Sequence, residues 1–144
     1  MSRTHRTRRT SARALTLAAF TLLAAAPSAH AAPAEVPCSW SGGHLWCDFW
    51  VPGDGFSAGA PVVVASHGIG HEQVGALPQG RNWIVCQLQG STISQNGYSN
   101  NWWAWTTAEN GRTGWVNALW ASGGDNYGGF ANAPLCGDDK PAVP

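Results

Sequence analysis

Side chains that could perform chemistry are sparse in this 144-residue chain, and the densest group of them lies in residues 66–72. His67 and His71 stand four positions apart and Glu72 follows, so a helix here would present both imidazoles on one face as metal ligands. The two glycines between the histidines oppose a stable helix. We therefore predict a loop with solvated histidines at this position and no metal site.

Two other combinations of side chains could support catalysis, and neither has the spacing that it requires. In Ser66-His67 an extended backbone points the two side chains in opposite directions, so the imidazole is not placed to act as a base on the hydroxyl. Asp48, Asp54 and Asp125 could act as paired carboxylates in glycoside chemistry, yet no spacing argument brings two of them together. The sequence therefore predicts no catalytic residues, no cofactor and no enzyme.

The first 31 residues have the three regions of a secretory signal peptide. Five arginines precede an apolar run at residues 14–26, and the segment ends in Ala29-His30-Ala31, a small-residue cleavage pattern. The apolar run is too short for a comfortable membrane span, and no stop-transfer pattern follows it. We predict cleavage before Ala32 and a secreted, extracellular protein that is not inserted in the membrane, with general export favoured over the twin-arginine route.

The chain that remains after cleavage is acidic and rich in tryptophan. It has three basic and eight acidic side chains, a net charge of −5, and it keeps all nine tryptophans. Nucleic acids and anionic lipid surfaces need clustered lysine and arginine, so neither is an expected partner. So many tryptophans require either a Trp-rich core or a Trp-lined surface. We expect one modest domain and a monomer.

The cysteine count predicts two disulfides, because an even number of cysteines in an exported chain is typical of a disulfide framework. Three connectivities are possible among Cys38, Cys47, Cys86 and Cys136. A two-residue turn at Gly42-Gly43 would place Cys38 directly opposite Cys47 in a hairpin. We therefore favour a Cys38–Cys47 bond, which leaves Cys86–Cys136 to tie the C-terminal tail to the sheet.

The pattern of apolar residues and turn residues predicts an all-β fold. Short β-branched or alternating runs at residues 62–64, 74–77 and 83–89 are separated by glycine and proline, and residues 90–100 have the composition of a polar loop. We divide the chain into four segments: the signal peptide, an N-terminal segment at 32–60, a small barrel at 61–122, and an irregular tail at 123–144. The N-terminal segment contains a Gly/Pro loop and the hairpin closed by the Cys38–Cys47 bond, which we call the stapled hairpin.

Residues 101–120 are predicted to form a tryptophan-rich β-hairpin, which we call the tryptophan hairpin. Asn110-Gly111 is typical of a two-residue type I′ turn, which would place Trp105 opposite Val116 and Glu109 opposite Arg112. In that register Trp103, Trp105 and Val116 share one face, which we assign to the core. Trp102 and Trp115 then lie on the other face.

This region resembles the second half of Src-homology-3 domains. The resemblance is carried by Trp102-Trp103, Gly111, Thr113-Gly114-Trp115-Val116 and the closing Trp120, at the family's spacing. Residues 74–80 are similar to the Gly-x-Leu-x-x-Gly turn of the bacterial extracellular members. A central-strand cysteine and a terminal Pro-x-Cys, here Cys86 and residues 134–136, are similar to those of small secreted Gram-positive proteins. The resemblance covers residues 61–136 and implies a small Src-homology-3-like barrel, with the stapled hairpin added at its N-terminus.

The resemblance also implies a binding role. In eukaryotic members the first Trp of the pair and the closing aromatic line a peptide groove, and those positions are Trp102 and Trp120 here. Asn117 stands where that groove has a proline, and bacterial relatives serve as cell-wall-targeting modules. Trp102, Trp115, Asn117 and Trp120 are therefore the candidate ligand-binding residues, and a cell-wall glycan or peptide is the expected partner.

Two alternatives remain open from the sequence. Trp102, Trp115 and Trp120 are either an exposed aromatic platform or a surface covered by the Cys38–Cys47 hairpin. The function is either envelope binding through that platform or inhibition of an extracellular protease by a rigid loop. The loops at 51–60 and 122–135 are the candidates for inhibition.

Overall fold

The computed structural model describes residues 31–50, 59–64 and 72–137. The signal segment 1–30, Asp54, Ser66, His67 and His71, most of the Gly/Pro loop and the last seven residues lie outside the described residues. What is described is all-β, as predicted, with eight strands and one 3₁₀ turn. Within these ranges no helix has the length and apolar character that crossing a bilayer requires.

The strands form two sheets. They are β1 (Cys38–Ser41), β2 (His44–Phe49), β3 (Ala60–Val63), β4 (Gln73–Leu77), β5 (Gly80–Ile84), β6 (Gln87–Gln95), β7 (Tyr98–Thr107) and β8 (Thr113–Asn117), followed by the 3₁₀ turn Ala118–Trp120. A three-stranded sheet has the order β1-β2-β5, and a five-stranded sheet has the order β4-β3-β8-β7-β6. The predicted single strand at 83–89 is instead two strands, because the chain passes from one sheet to the other at residues 85–86.

The N-terminal hairpin has the predicted register. Gly42 and Gly43 both have positive φ, at 60° and 80°, as a type I′ turn requires. Cys38 therefore lies directly opposite Cys47, and the two form a disulfide. Cys86 and Cys136 form the second disulfide, so the predicted connectivity is confirmed.

The predicted register of the tryptophan hairpin is wrong by one residue. Gly111 donates its N–H to Ala108 O at 2.9 Å, and Ala108 N–H donates to Arg112 O at 2.8 Å, which makes a three-residue loop. Gly111 has φ of 79°, whereas Asn110 does not have positive φ, so the turn is not type I′. Trp105 consequently lies opposite Trp115, and Glu109 does not face Arg112.

The two-residue Asn-Gly turn occurs one hairpin earlier, within the segment predicted to be a polar loop. Asn96 and Gly97 have φ of 52° and 83°, and Gln95 lies opposite Tyr98. Residues 87–107 therefore form one long β6–β7 hairpin. Residues 90–100 are polar because this part of the hairpin is largely exposed, and not because they lack strand structure.

A shift of one residue reverses which side chains face the core. Both sheets contribute to the main core, which includes Leu45 and Phe49 of β2, Ala104 of β7 and Val116 of β8. Trp103 and Trp115 are buried in a second cluster with Val63, and Trp105 packs against them. The prediction that Trp103, Trp105 and Val116 share the core face is therefore wrong.

The C-terminal tail is irregular as far as residue 137, and it is fully integrated into the fold. The amide of Gln87 donates to Phe130 O at 2.9 Å and Ala133 O at 3.1 Å, and accepts from Phe130 N at 2.7 Å. Val36, near the N-terminus, pairs in parallel with Phe130. Both of these paired side chains are buried in the main core.

Candidate functional site

Three of the four predicted ligand-binding residues are buried. Trp115 is 2% exposed, Trp120 is 4% exposed and Asn117 is 0% exposed, whereas Trp102 is half-buried. The expectation that they could form an exposed aromatic face is corrected for Trp115, Asn117 and Trp120. Trp115 is buried in the second cluster, with Val63 and Trp103, and not beneath the Cys38–Cys47 hairpin.

Each of these side chains has a structural role in the fold. Asn117 caps the 3₁₀ turn, because its Oδ1 accepts from Leu119 N at 2.8 Å and its Nδ2 donates to Asn100 O at 3.3 Å. The Trp120 ring lies 6.0 Å from that of Trp50, centroid to centroid. The Trp115 ring makes an edge contact with Trp105 at 5.0 Å. None of these contacts is available to an external ligand without a rearrangement.

The C-terminal tail, and not the stapled hairpin, covers Trp102. The indole N–H of Trp102 donates to Tyr127 O at 3.1 Å. A Cβ placed on Gly129 would lie 3.2 Å from the Trp102 ring, so the tail backbone packs directly on the indole. Glycine at position 129 permits this approach, and no periodicity in the tail sequence could have predicted it.

A different group of aromatic side chains lies half-buried on the outer side of the three-stranded sheet. We define the outer aromatic face as His44, Trp46, Arg81 and Trp83. Trp46 lies directly opposite Trp83 in the β2–β5 register. The His44 ring meets the Trp83 ring edge-on at 5.1 Å and lies 6.1 Å from the Trp46 ring.

Strand alternation produces this face. In β2 the buried residues are Leu45, Cys47 and Phe49, which point into the main core. The alternate residues of β2, which are His44, Trp46 and Asp48, therefore point away from the core. In β5 the same alternation buries Ile84 and leaves Arg81 and Trp83 on the outer side.

Polar contacts hold the face in one arrangement. The Trp46 indole N–H donates to Ser41 O at 3.0 Å. The Arg81 guanidinium lies 5.4 Å from the Trp46 ring centroid, within the range of a cation–π interaction, and also donates to Ser39 Oγ at 3.2 Å. Two half-buried tryptophans, a half-buried imidazole and an exposed guanidinium thus form one surface, next to the Cys38–Cys47 disulfide.

Sequence reasoning missed this site although part of its signal was readable. The alternation in residues 44–49 is clear, and the predicted hairpin register already placed Trp46 opposite Ser39. The missing information was the pairing of β2 with β5, which lies more than thirty residues away and has no local signature. The sequence alone therefore did not indicate that Trp46 faces a second tryptophan across the sheet.

The described residues contain no group of three or more His, Cys, Asp or Glu side chains that could hold a metal ion. Within the same part of the chain all cysteines are in disulfides. The outer aromatic face offers ring surfaces for stacking, hydrogen-bonding groups and one fixed positive charge.

Comparison of the chain with protein-family models, with curated proteins and with solved structures finds no match in any of the three.

Proposed function

We propose that this protein is a secreted, non-catalytic binding module that holds a cell-envelope glycan on its outer aromatic face. The observation that carries the proposal is the pair Trp46 and Trp83, directly opposite each other on the outer side of a sheet. Indole rings provide a broad apolar surface for the C–H faces of sugar rings. Exposed patches of this kind in monomeric proteins mark interaction sites.

The rigidity of the face supports the same proposal. Binding costs less free energy when the side chains involved are already held in their bound arrangement. The Trp46 indole is fixed by its bond to Ser41 O, and the Arg81 guanidinium is fixed by Ser39. Asp48 and Arg81 lie opposite each other beside the rings and offer an acceptor and a donor for sugar hydroxyls.

The proposal also includes secretion of the protein and a relationship to Src-homology-3-like barrels. Two disulfides support an oxidising, extracellular location. The order of β7, β8 and the 3₁₀ turn Ala118–Trp120 supports a relationship to Src-homology-3-like modules, because the resemblance implies that order. The proposed ligand site differs from the peptide groove of Src-homology-3 domains. The groove positions Trp102 and Trp120 are covered here, and the proposed ligand surface includes the N-terminal hairpin instead.

The test is a pull-down of the protein on purified peptidoglycan with Trp46→Ala, Trp83→Ala and Trp40→Ala. We expect each of the first two variants to weaken binding by at least about tenfold, since truncating a central tryptophan commonly costs 2 kcal/mol or more. Trp40 is the matched control, because it is 56% exposed but pairs with Leu45 and so points to the opposite side of the sheet.

Retention of binding in both face variants would contradict the proposal, as would an equal loss in Trp40→Ala. Far-ultraviolet circular dichroism of each variant separates a lost contact from a lost fold. Trp102→Ala is unsuitable for this purpose. Its indole is bonded to the tail, so its removal is expected to lower stability first.

Protease inhibition is the second candidate, and one observation favours it. Leu135 is 71% exposed between Pro134 and the disulfide-bonded Cys136. Backbone bonds on either side, Gln87 N to Pro134 O and Cys136 N to Gln87 O, both at 2.8 Å, fix it in an extended conformation. A rigid exposed apolar residue suits a protease pocket. Inhibition of a chymotrypsin-like protease that is lost in Leu135→Ala would support this candidate.

A further inference from the structure

A groove of about 480 Å³ lies beside the 3₁₀ turn and shares no residue with the outer aromatic face. Trp50 and Tyr98 are its aromatic residues, Ala118 and Leu119 are apolar residues of its lining, and Asp125 and Asn126 belong to the tail. Its volume is in the range of small-molecule and side-chain binding pockets.

The two aromatic residues of the groove differ in how firmly the fold holds them. Trp50 is anchored, because its backbone N–H donates to Trp120 O at 3.0 Å and its ring packs on the Trp120 ring. Tyr98 is 61% exposed beside the Asn96-Gly97 turn. An exposed phenol ring at the mouth of a groove has no role in the core, and it is available to a ligand.

Asp125 supplies the charge of the groove. Its Oδ2 accepts from Ala34 N at 3.1 Å, and its backbone N–H donates to Ala34 O at 2.8 Å. Its carbonyl accepts from Gly128 N at 3.0 Å. These bonds fix the carboxylate at the groove, where a surface loop would otherwise leave it mobile.

The charged side chains around the groove favour a cation. Among its described lining residues Asp125 is the charged one. The two arginines of the described ranges lie elsewhere, Arg81 on β5 and Arg112 at the β7–β8 loop. The chain after the predicted cleavage site also has a net charge of −5, which attracts cations over longer distances.

We propose that this groove binds a primary ammonium group at the end of an aliphatic chain, as in a lysine side chain of an extended peptide. The methylenes pack on Ala118 and Leu119, the ammonium lies against the Trp50 and Tyr98 rings, and Asp125 pairs with it. Aromatic faces and a carboxylate both stabilise an ammonium ion, whereas a neutral amide gains neither attraction. This site is independent of the glycan surface proposed above.

The experiment titrates the ¹⁵N-labelled protein with the blocked tripeptide acetyl-Gly-Lys-Gly-amide and with its Nε-acetyl-lysine counterpart. We expect shift changes at Tyr98, Asp125 and the Trp50 indole, and an affinity for the acetylated peptide at least about tenfold weaker. Equal affinities, or shift changes confined to the outer aromatic face, would overturn the proposal.

Two single-charge variants give a matched comparison. Asp125→Asn keeps the acceptor for Ala34 N and removes the charge, and it is expected to weaken binding of the lysine peptide about tenfold. Glu109→Gln removes an equal charge from the exposed β7–β8 loop and is expected to leave the affinity unchanged. Tyr98→Ala changes an exposed side chain and leaves the hydrogen bonds of Asp125 in place, so it is a second, separate test of the groove. Affinities that are the same in Asp125→Asn and Glu109→Gln would overturn the proposal.

Discussion

Replacing Cys86 and Cys136 together with serine is expected to lower the free energy of unfolding by about 4 kcal/mol. The bond links residues 50 positions apart, so its loss restores much of the conformational freedom of the unfolded chain. Cys86 is also buried, and a serine there would place a hydroxyl in an apolar site. Urea unfolding followed by tryptophan fluorescence measures the change.

The Cys38–Cys47 pair is the internal control for that result. It links residues only nine positions apart, so the chain-entropy argument gives a loss smaller by about 1.5 kcal/mol when both cysteines are replaced. An equal or larger loss for this pair would contradict an entropic account of the Cys86–Cys136 bond. It would indicate that the stapled hairpin carries more of the stability than its loop length implies.

Replacing Gln87 with leucine is expected to cost about 3 kcal/mol, because the Phe130 N–H loses its partner inside the protein and the carbonyls of Phe130 and Ala133 each lose a hydrogen bond. The Gln87 amide makes three bonds to the tail, of which two reach the N–H and the carbonyl of Phe130. Leucine has a similar volume and no polar group, so the unsatisfied backbone groups dominate the change. Differential scanning calorimetry and amide hydrogen exchange at Phe130 measure the effect.

Gln89→Leu is the matched substitution, two residues further along the same strand. Gln89 is exposed, so its replacement is expected to change stability by no more than about 0.5 kcal/mol. If the two variants lose equal stability, the cost arises from the strand and not from the contacts with the tail. Faster exchange at Phe130 in the Gln87 variant alone would locate the effect at the tail.

The parts of the fold that the sequence predicted correctly are those set by local chemistry. Gly42-Gly43 can adopt two consecutive positive φ values at no steric cost, and the turn then fixes every pairing as far as Cys38 and Cys47. The second disulfide followed by elimination. The strands near residues 62 and 74 were visible in their β-branched and apolar residues, and they need no distant partner to be recognised.

The tryptophan hairpin could not be placed correctly because Asn-Gly is compatible with two loops. In both of them glycine takes a positive φ, and they differ in whether asparagine does. At residue 110 the side chain donates to Val74 O at 2.8 Å and accepts from Arg112 N at 3.1 Å, and these bonds accompany the three-residue loop. One of the two comes from β4, so the register of this hairpin depends on tertiary structure.

Exposure of the candidate site was the least predictable property. Trp102 is covered by an irregular tail without apolar periodicity, and Trp120 is covered through Trp50. The outer aromatic face, in turn, requires β5 to lie beside β2. Alternation shows that a residue points away from its strand neighbours, but it does not show which side of a sheet another element covers.

The parallel pairing of Val36 with Phe130 also constrains the order of folding. The first described core residue is bonded to the last part of the described chain: Val36 N donates to Gly129 O at 2.7 Å and Ala131 N donates to Val36 O at 2.9 Å. Val36 therefore has no backbone partner until residues 129–131 are available to fold against it. Contacts this distant in sequence form slowly. The hairpins can form from short stretches of the chain, but closure of the core requires residues from both ends of the described chain.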